Sequence, residues 1–118
     1  MILGKIKKVH FIGIGGIGMS GISELLLNLG FKVSGSDIKI TPITSQLSKK
    51  GAIIWEGHNK KNILDSDLVV YSSAIDDENV ELVEARKIQL PIVRRAEMLG
   101  ELLKLKNTSI AVSGTHGK

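Results

Sequence analysis

The chain has 118 residues, a net charge of +4 and 42% hydrophobic residues, which suits one ordinary domain with a real core. It has no cysteine, so disulfides, thiol catalysis and Cys-ligated metal are excluded, and its two Phe, one Tyr and one Trp give no aromatic–basic surface for nucleic acid. No apolar run is long enough to span a bilayer, and Met1-Ile2-Leu3-Gly4-Lys5 lacks a signal-peptide layout, so the expectation is a cytoplasmic protein with no membrane partner.

Val9-His10-Phe11-Ile12 is a short apolar run ending at glycines and reads as a buried strand. From Met19 the apolar residues Ile22, Leu25, Leu26 and Leu29 recur at helical spacing until Gly30. Phe31 to Ser34 predicts a second strand. Thr41-Pro42 is a helix start, with Thr as N-cap and Pro in the first turn, and Gly51 closes that helix. Ala52 to Trp55 predicts a third strand, and residues 62–67 a short connection with at most one helical turn. Leu68-Val69-Val70-Tyr71 is strand-like and ends at Ser72-Ser73. Helical spacing returns over 79–87 and 96–105, with a short strand at Pro91-Ile92-Val93 between them. Thr108 to Val112 predicts a last strand. The lysine pairs Lys7-Lys8, Lys49-Lys50 and Lys60-Lys61 read as solvated surface.

Alternating strands and helices of these lengths predict an α/β fold: a Rossmann-like, doubly wound, mainly parallel sheet with helices on both faces and strand order 3-2-1-4-5. Ligands of such sheets sit at the carboxyl ends of the strands beside the switch in order. That rule places the loop from Gly13 to Gly18, Ser36-Asp37 and Ser72-Ser73 along one crevice. Gly13-Ile14-Gly15-Gly16-Ile17-Gly18 satisfies G-x-G-x-x-G between a strand and a helix, a pattern that cradles a nucleotide diphosphate. Ser20 can add a hydroxyl donor. Asp37, just past the second strand, is placed to bond ribose hydroxyls; its plainer reading is a turn or cap.

The sequence closes on Gly114-Thr115-His116-Gly117-Lys118, which looks like a phosphate-binding loop cut in mid-motif. Val112 stands where the G-x-x-x-x-G-K-[ST] pattern needs glycine, so this is a shorter form. The expectation is the front piece of a larger ATP-using protein.

Several segments together carry a resemblance: Val9 through Ile22, Gly35-Ser36-Asp37, Tyr71-Ser72-Ser73-Ala74-Ile75, Arg94-Arg95-Ala96-Glu97-Met98-Leu99 and Ser113 through Lys118. In this order they resemble the opening of the Mur ligases, above all the branch that adds L-alanine. The resemblance implies one part of an ATP-dependent, amide-forming enzyme of peptidoglycan synthesis, with UDP-N-acetylmuramate, L-alanine and ATP as substrates and Mg²⁺ offsetting phosphate charge. Residues 1–107 would bind the UDP-sugar. Residues 108–118 would be the first strand and incomplete phosphate loop of an ATP domain. Gly13, Gly15, Gly16, Ile17, Gly18, Met19 and Ser20 would cradle the UDP diphosphate, with Met19 also packing. Asp37 and His58 would lie near the uridine; for His58 the alternative is a surface residue. Ser72 and Ser73 would contact the nucleotide or merely cap a turn. Arg95 would reach phosphate or sugar, or stand in a solvated helix start with Arg94 and Glu97. Gly114, Thr115, His116, Gly117 and Lys118 would contact ATP. No catalytic residue and no metal site is expected in this chain, which should bind without turning over. Three alternatives stay open: an NAD-binding dehydrogenase domain, a ligase acting on muramyl peptides, and a non-enzymatic nucleotide-binding module.

Overall fold

The computed structural model describes residues 5–113, with side chains through Lys104. Five strands form one sheet: β1 (Lys8–Ile12), β2 (Lys32–Asp37), β3 (Ile53–Glu56), β4 (Leu68–Tyr71) and β5 (Ile92–Arg94). Their order is β3-β2-β1-β4-β5 and every pairing is parallel, as the alternation predicts. The helices are α1 (Met19–Asn28), α2 (Pro42–Lys49), α3 (Val80–Lys87) and α4 (Arg95–Ser113), with a short 3₁₀ helix at Lys60–Ile63.

The chain order decides which face each helix covers. The first two crossovers run outward from β1 in one direction, and those after β3 return across it. Right-handed connections therefore put α1 and α2 on one face and α3 on the other. On the first face, Val9, Phe11, Val33 and Val70 pack with Ile22, Leu26, Leu47, Met98 and Leu102. On the second, Ile12 and Val69 pack with Ile63, Leu82 and Ala85. Central β1 is thus buried on both sides from Val9 to Ile12, which is why its sequence runs apolar rather than alternating.

The start of α2 is fixed by a reciprocal cap. Thr41 Oγ1 accepts from the Thr44 N–H at 3.3 Å, and Thr44 Oγ1 accepts from the Thr41 N–H at 2.8 Å, with Pro42 in the first turn. Such caps contribute about 1 kcal/mol. By contrast α1 begins at Gly18 with no side-chain cap.

One expectation is corrected. Residues 108–113 continue α4 as helix where the sequence predicts a strand over 108–112. A strand needs a neighbour for its N–H and C=O groups. Residues 108–113 pair with no strand of the sheet; they extend the helix that begins at Arg95, where each further residue adds a backbone hydrogen bond at little cost. Residues 114–118 lie outside the described residues. Among the described residues, no helix is long and apolar enough to cross a membrane.

Candidate functional site

The parallel register brings the carboxyl ends of β1, β2 and β4 side by side. The loop after β1 is tied to β2: Gly13 and Ile14 both donate their N–H to the Ser36 carbonyl, at 2.8 and 3.0 Å. Ile14 is fully buried against Gly35. The Gly15 N–H donates to Asp37 Oδ2 at 2.8 Å, and Asp37 Oδ1 accepts from the Ile38 N–H at 2.8 Å. Asp37 therefore shapes the glycine loop itself. Each carboxylate oxygen has a second lone pair, so capacity remains for a ligand hydroxyl.

Gly16 is exposed and Ile17 fully so at the tip of the loop. Gly18 has φ +82°, a left-handed conformation that side chains resist. A Cβ there would lie 3.0 Å from Arg95 Nη1 and 3.1 Å from Arg95 Cδ. The bare Gly18 lets the first residue of α4 lay its guanidinium over the start of α1, so the fold puts a fixed positive charge at the glycine loop. Met19 points into the core, 1% exposed. Ser20 is half-buried and lines a small cleft between α1 and α2 with Glu24, Gln46 and Lys50.

At the end of β4, the Ser72 hydroxyl accepts from the Ala74 N–H at 3.3 Å and its carbonyl accepts from the Ile75 N–H at 3.0 Å. Ser72 thus caps a turn that carries Ile75 against Gly13. Ser73 is exposed beside it. Arg94 turns away from the glycine loop, donating from Nε to the Tyr71 hydroxyl at 3.3 Å. The loop after β3 joins the crevice where the Gly57 N–H donates to the Asp37 carbonyl at 2.6 Å. His58 follows, with Nδ1 2.8 Å from Ser36 Oγ.

His58 leads to a buried polar cluster that the sequence reading does not anticipate. Glu81, on α3, is completely buried between helix and sheet. Its Oε1 accepts from His10 Nε2 at 2.6 Å and from the Ser36 hydroxyl at 2.7 Å. Its Oε2 accepts from the Asn59 N–H at 3.1 Å and from Asn62 Nδ2 at 2.8 Å. Four donors fill the acceptor sites of an ionised carboxylate. His10, also completely buried, holds Ser34 Oγ on its other nitrogen at 2.8 Å. A signal was present in the sequence: a histidine inside an apolar strand run must find partners, because an unpaired polar group in a core is costly.

Burial alone would push the Glu81 carboxyl upward. The hydrogen bond and electrostatic pull of His10, with the Ser36 and Asn62 bonds, outweigh it and hold the group below the usual carboxylate range. The backbone N–H groups of Lys7 and Lys8 hold Asp67 low in the same way, each donating to Asp67 Oδ2 at 3.0 Å. A carboxyl depressed in the folded state stabilises the fold fully above its unfolded pKa. That contribution is lost as pH falls from there through the folded value. Urea midpoints should therefore be level from neutral pH to about 5 and fall steeply below about 4. Glu81→Gln should lower the midpoint at pH 7 and flatten the acid slope; an unchanged slope would show that Glu81 does not carry it.

Residues 8–107 match the family described as Mur ligase family, catalytic domain. The chain belongs to the Mur ligase family. It is 57% identical over 115 residues to the UDP-N-acetylmuramate–L-alanine ligase of Pelobacter propionicus, a match covering 98% of this chain and 25% of that protein. The crystal structure of UDP-N-acetylmuramate-alanine ligase MurC from Thermotoga maritima aligns with a TM-score of 0.78 at 41% identity, over 82% of this chain and 23% of that one. A UDP-N-acetylmuramate:L-alanyl-gamma-D-glutamyl-meso-diaminopimelate ligase from Neisseria meningitides aligns with a TM-score of 0.75 at 28% identity, over 81% of this chain and 31% of that one. This Mur ligase chain spans about a quarter of the length of the curated relatives it matches. A dehydrogenase reading is not favoured beside these matches. Among the described residues of the Mur ligase chain, no group of three or more His, Asp or Glu is placed to hold a metal ion.

Proposed function

We propose that this chain is the UDP-N-acetylmuramate-binding part of a cytoplasmic, ATP-dependent ligase that joins L-alanine to that nucleotide sugar in peptidoglycan synthesis. Residues 1–107 form the substrate domain, and residues 108–118 lead into the ATP-binding domain. The observation that carries the reading is the joint one of Gly18 and Arg95: an uncapped helix start beneath a guanidinium, at the mouth of a glycine loop. A doubly negative diphosphate suits that pairing. Among the solved structures, the identity of 41% to an alanine-adding ligase, against 28% to a muramyl-peptide ligase, supports the choice of L-alanine.

In this reading Gly13, Gly15, Gly16, Ile17 and Gly18, with Met19 and Ser20 behind them, hold the diphosphate, and Arg95 offsets its charge. Asp37 and His58 flank the uridine, and Ser72 and Ser73 border the nucleotide on the β4 side. The chain's task is to fix the sugar nucleotide so that its carboxylate projects toward ATP. That carboxylate attacks the γ-phosphorus and ADP departs. The L-alanine amine then attacks the acyl phosphate, phosphate leaves and the amide forms. Gly114, Thr115, His116, Gly117 and Lys118 would hold ATP phosphates, where Mg²⁺ supplies charge neutralisation.

Thermal protection tests this directly. UDP-N-acetylmuramate at 100 times its Kd should stabilise the chain by about 2.7 kcal/mol, whereas NAD should not. Arg95→Ala should weaken binding by about 10- to 100-fold, the loss of a charged hydrogen bond. Protection by NAD and not by the UDP-sugar would overturn the proposal. So would UDP-sugar-dependent ATP hydrolysis by the 118-residue chain overturn its assignment as a binding part only.

A further inference from the structure

The hydrogen bonds around Ser36 leave only one arrangement of protons. The Ser36 hydroxyl lies 2.7 Å from Glu81 Oε1 and 2.8 Å from His58 Nδ1. It has one hydrogen. Glu81 Oε1 is an acceptor only, so the hydroxyl must donate to it; two bare oxygens at that distance would repel. Ser36 Oγ is then the acceptor in its second contact, and the donor is His58 Nδ1. A neutral His58 is therefore protonated on Nδ1 and bare on Nε2. Glu81 Oε2 lies 3.7 Å from the same Nδ1 and favours the same tautomer.

Glu81 is held in place by four donors, one of them His10 on β1. Ser36 lies on the strand whose next residue, Asp37, holds Gly15. The His58 side chain is 19% exposed, and it lines a cleft of about 450 Å³ with Lys60, Val80, Val83 and the acidic residues Glu78 and Glu84.

We propose that Glu81 is a positioning residue: through Ser36 it locks His58 with Nδ1 protonated, so that Nε2 meets the ligand as a hydrogen-bond acceptor. The group it takes must be a donor. On a uridine nucleotide that means the ring N–H or a ribose hydroxyl, and not a carbonyl oxygen. This step rests on the placement of His58 beside the nucleotide under Proposed function. The relay itself does not.

The test uses the 118-residue chain labelled with ¹⁵N, with long-range proton–nitrogen correlation of the imidazoles at about pH 8.5, above the range of ordinary histidines. His58→Ala identifies the His58 signals. The parent chain should show a protonated Nδ1 and an unprotonated Nε2. Ser36→Ala should lose that pattern and bind UDP about three- to tenfold more weakly, the worth of one hydrogen bond. Ser36→Thr, which keeps the hydroxyl, should retain both. A parent spectrum with Nε2 protonated overturns the relay without any variant, as does an unchanged pattern in Ser36→Ala. A lost pattern with unchanged UDP affinity overturns the link to the ligand. Failure of the parent chain to bind UDP or UDP-N-acetylmuramate overturns the function proposed above and the ligand half of this one, while the tautomer pattern alone decides the relay.

Discussion

Glu81→Ala is expected to destabilise the fold by about 3–5 kcal/mol, the range for breaking a buried charged network by removing one partner. The substitution removes a carboxylate that accepts from His10, Ser36, Asn59 and Asn62, and it leaves the buried donors His10, Ser36 and Asn62 without that partner. Stability of a domain this size is of order 5–15 kcal/mol, so the variant should sit near the edge of folding at 37 °C. Its thermal midpoint should drop by roughly 10–20 °C and its urea midpoint by about 2 M. A loss under about 1 kcal/mol would mean that the four hydrogen bonds are not maintained in solution.

Gly35→Ala should cost about 2–3 kcal/mol and also abolish nucleotide binding. A Cβ at position 35 would lie 2.5 Å from Ile14 Cβ and 2.8 Å from Ile14 Cγ2. Ile14 Cβ sits next to the backbone and cannot swing aside, so the glycine loop itself must move. Overpacking of this kind typically costs 1–3 kcal/mol. The movement would pull Gly13 and Ile14 off the Ser36 carbonyl and displace Gly15 from Asp37. Gly21→Ala is the matching control. A Cβ there meets nothing within 4 Å, and the position is helical, so it should stabilise by about 0.5–1 kcal/mol. Paired melts and UDP-sugar titrations of the two variants check both claims; a Gly35→Ala chain that binds normally would show that the loop does not depend on this contact.

Local chemistry made much of the fold legible. Thr41-Pro42 names a helix start in two residues, Gly30 and Gly51 end helices, and Val9 to Ile12 declares a strand buried on both faces. Strand order followed from handedness and alternation. The convergence of the loops after β1, β2 and β4 followed from that order. What did not follow are facts of distance. Gly35 reads from the sequence as part of Gly-Ser-Asp, but its need for a bare Cα comes from Ile14, 21 positions earlier. Asp37 is expected beside a ribose from its place at the end of β2, yet the bonds the structure gives it, from Gly15 and Ile38, come from the protein's own backbone. Glu81 reads as an ordinary surface residue of a short polar helix, and only the packing of α3 over β1 and β2 shows otherwise. Over 108–112 the sequence predicts a strand, but a strand is made by its neighbours, and these residues pair with none and continue α4.

The Glu81 carboxylate gathers groups that lie 71, 45, 22 and 19 residues before it in the chain. No local segment can assemble that meeting point. It closes only after the two halves of the sheet have aligned on either side of β1, because the entropy of those long loops must be lost first. The cluster is thus expected to close late, as a latch. Weakening it should speed the opening of the folded domain more than it slows folding.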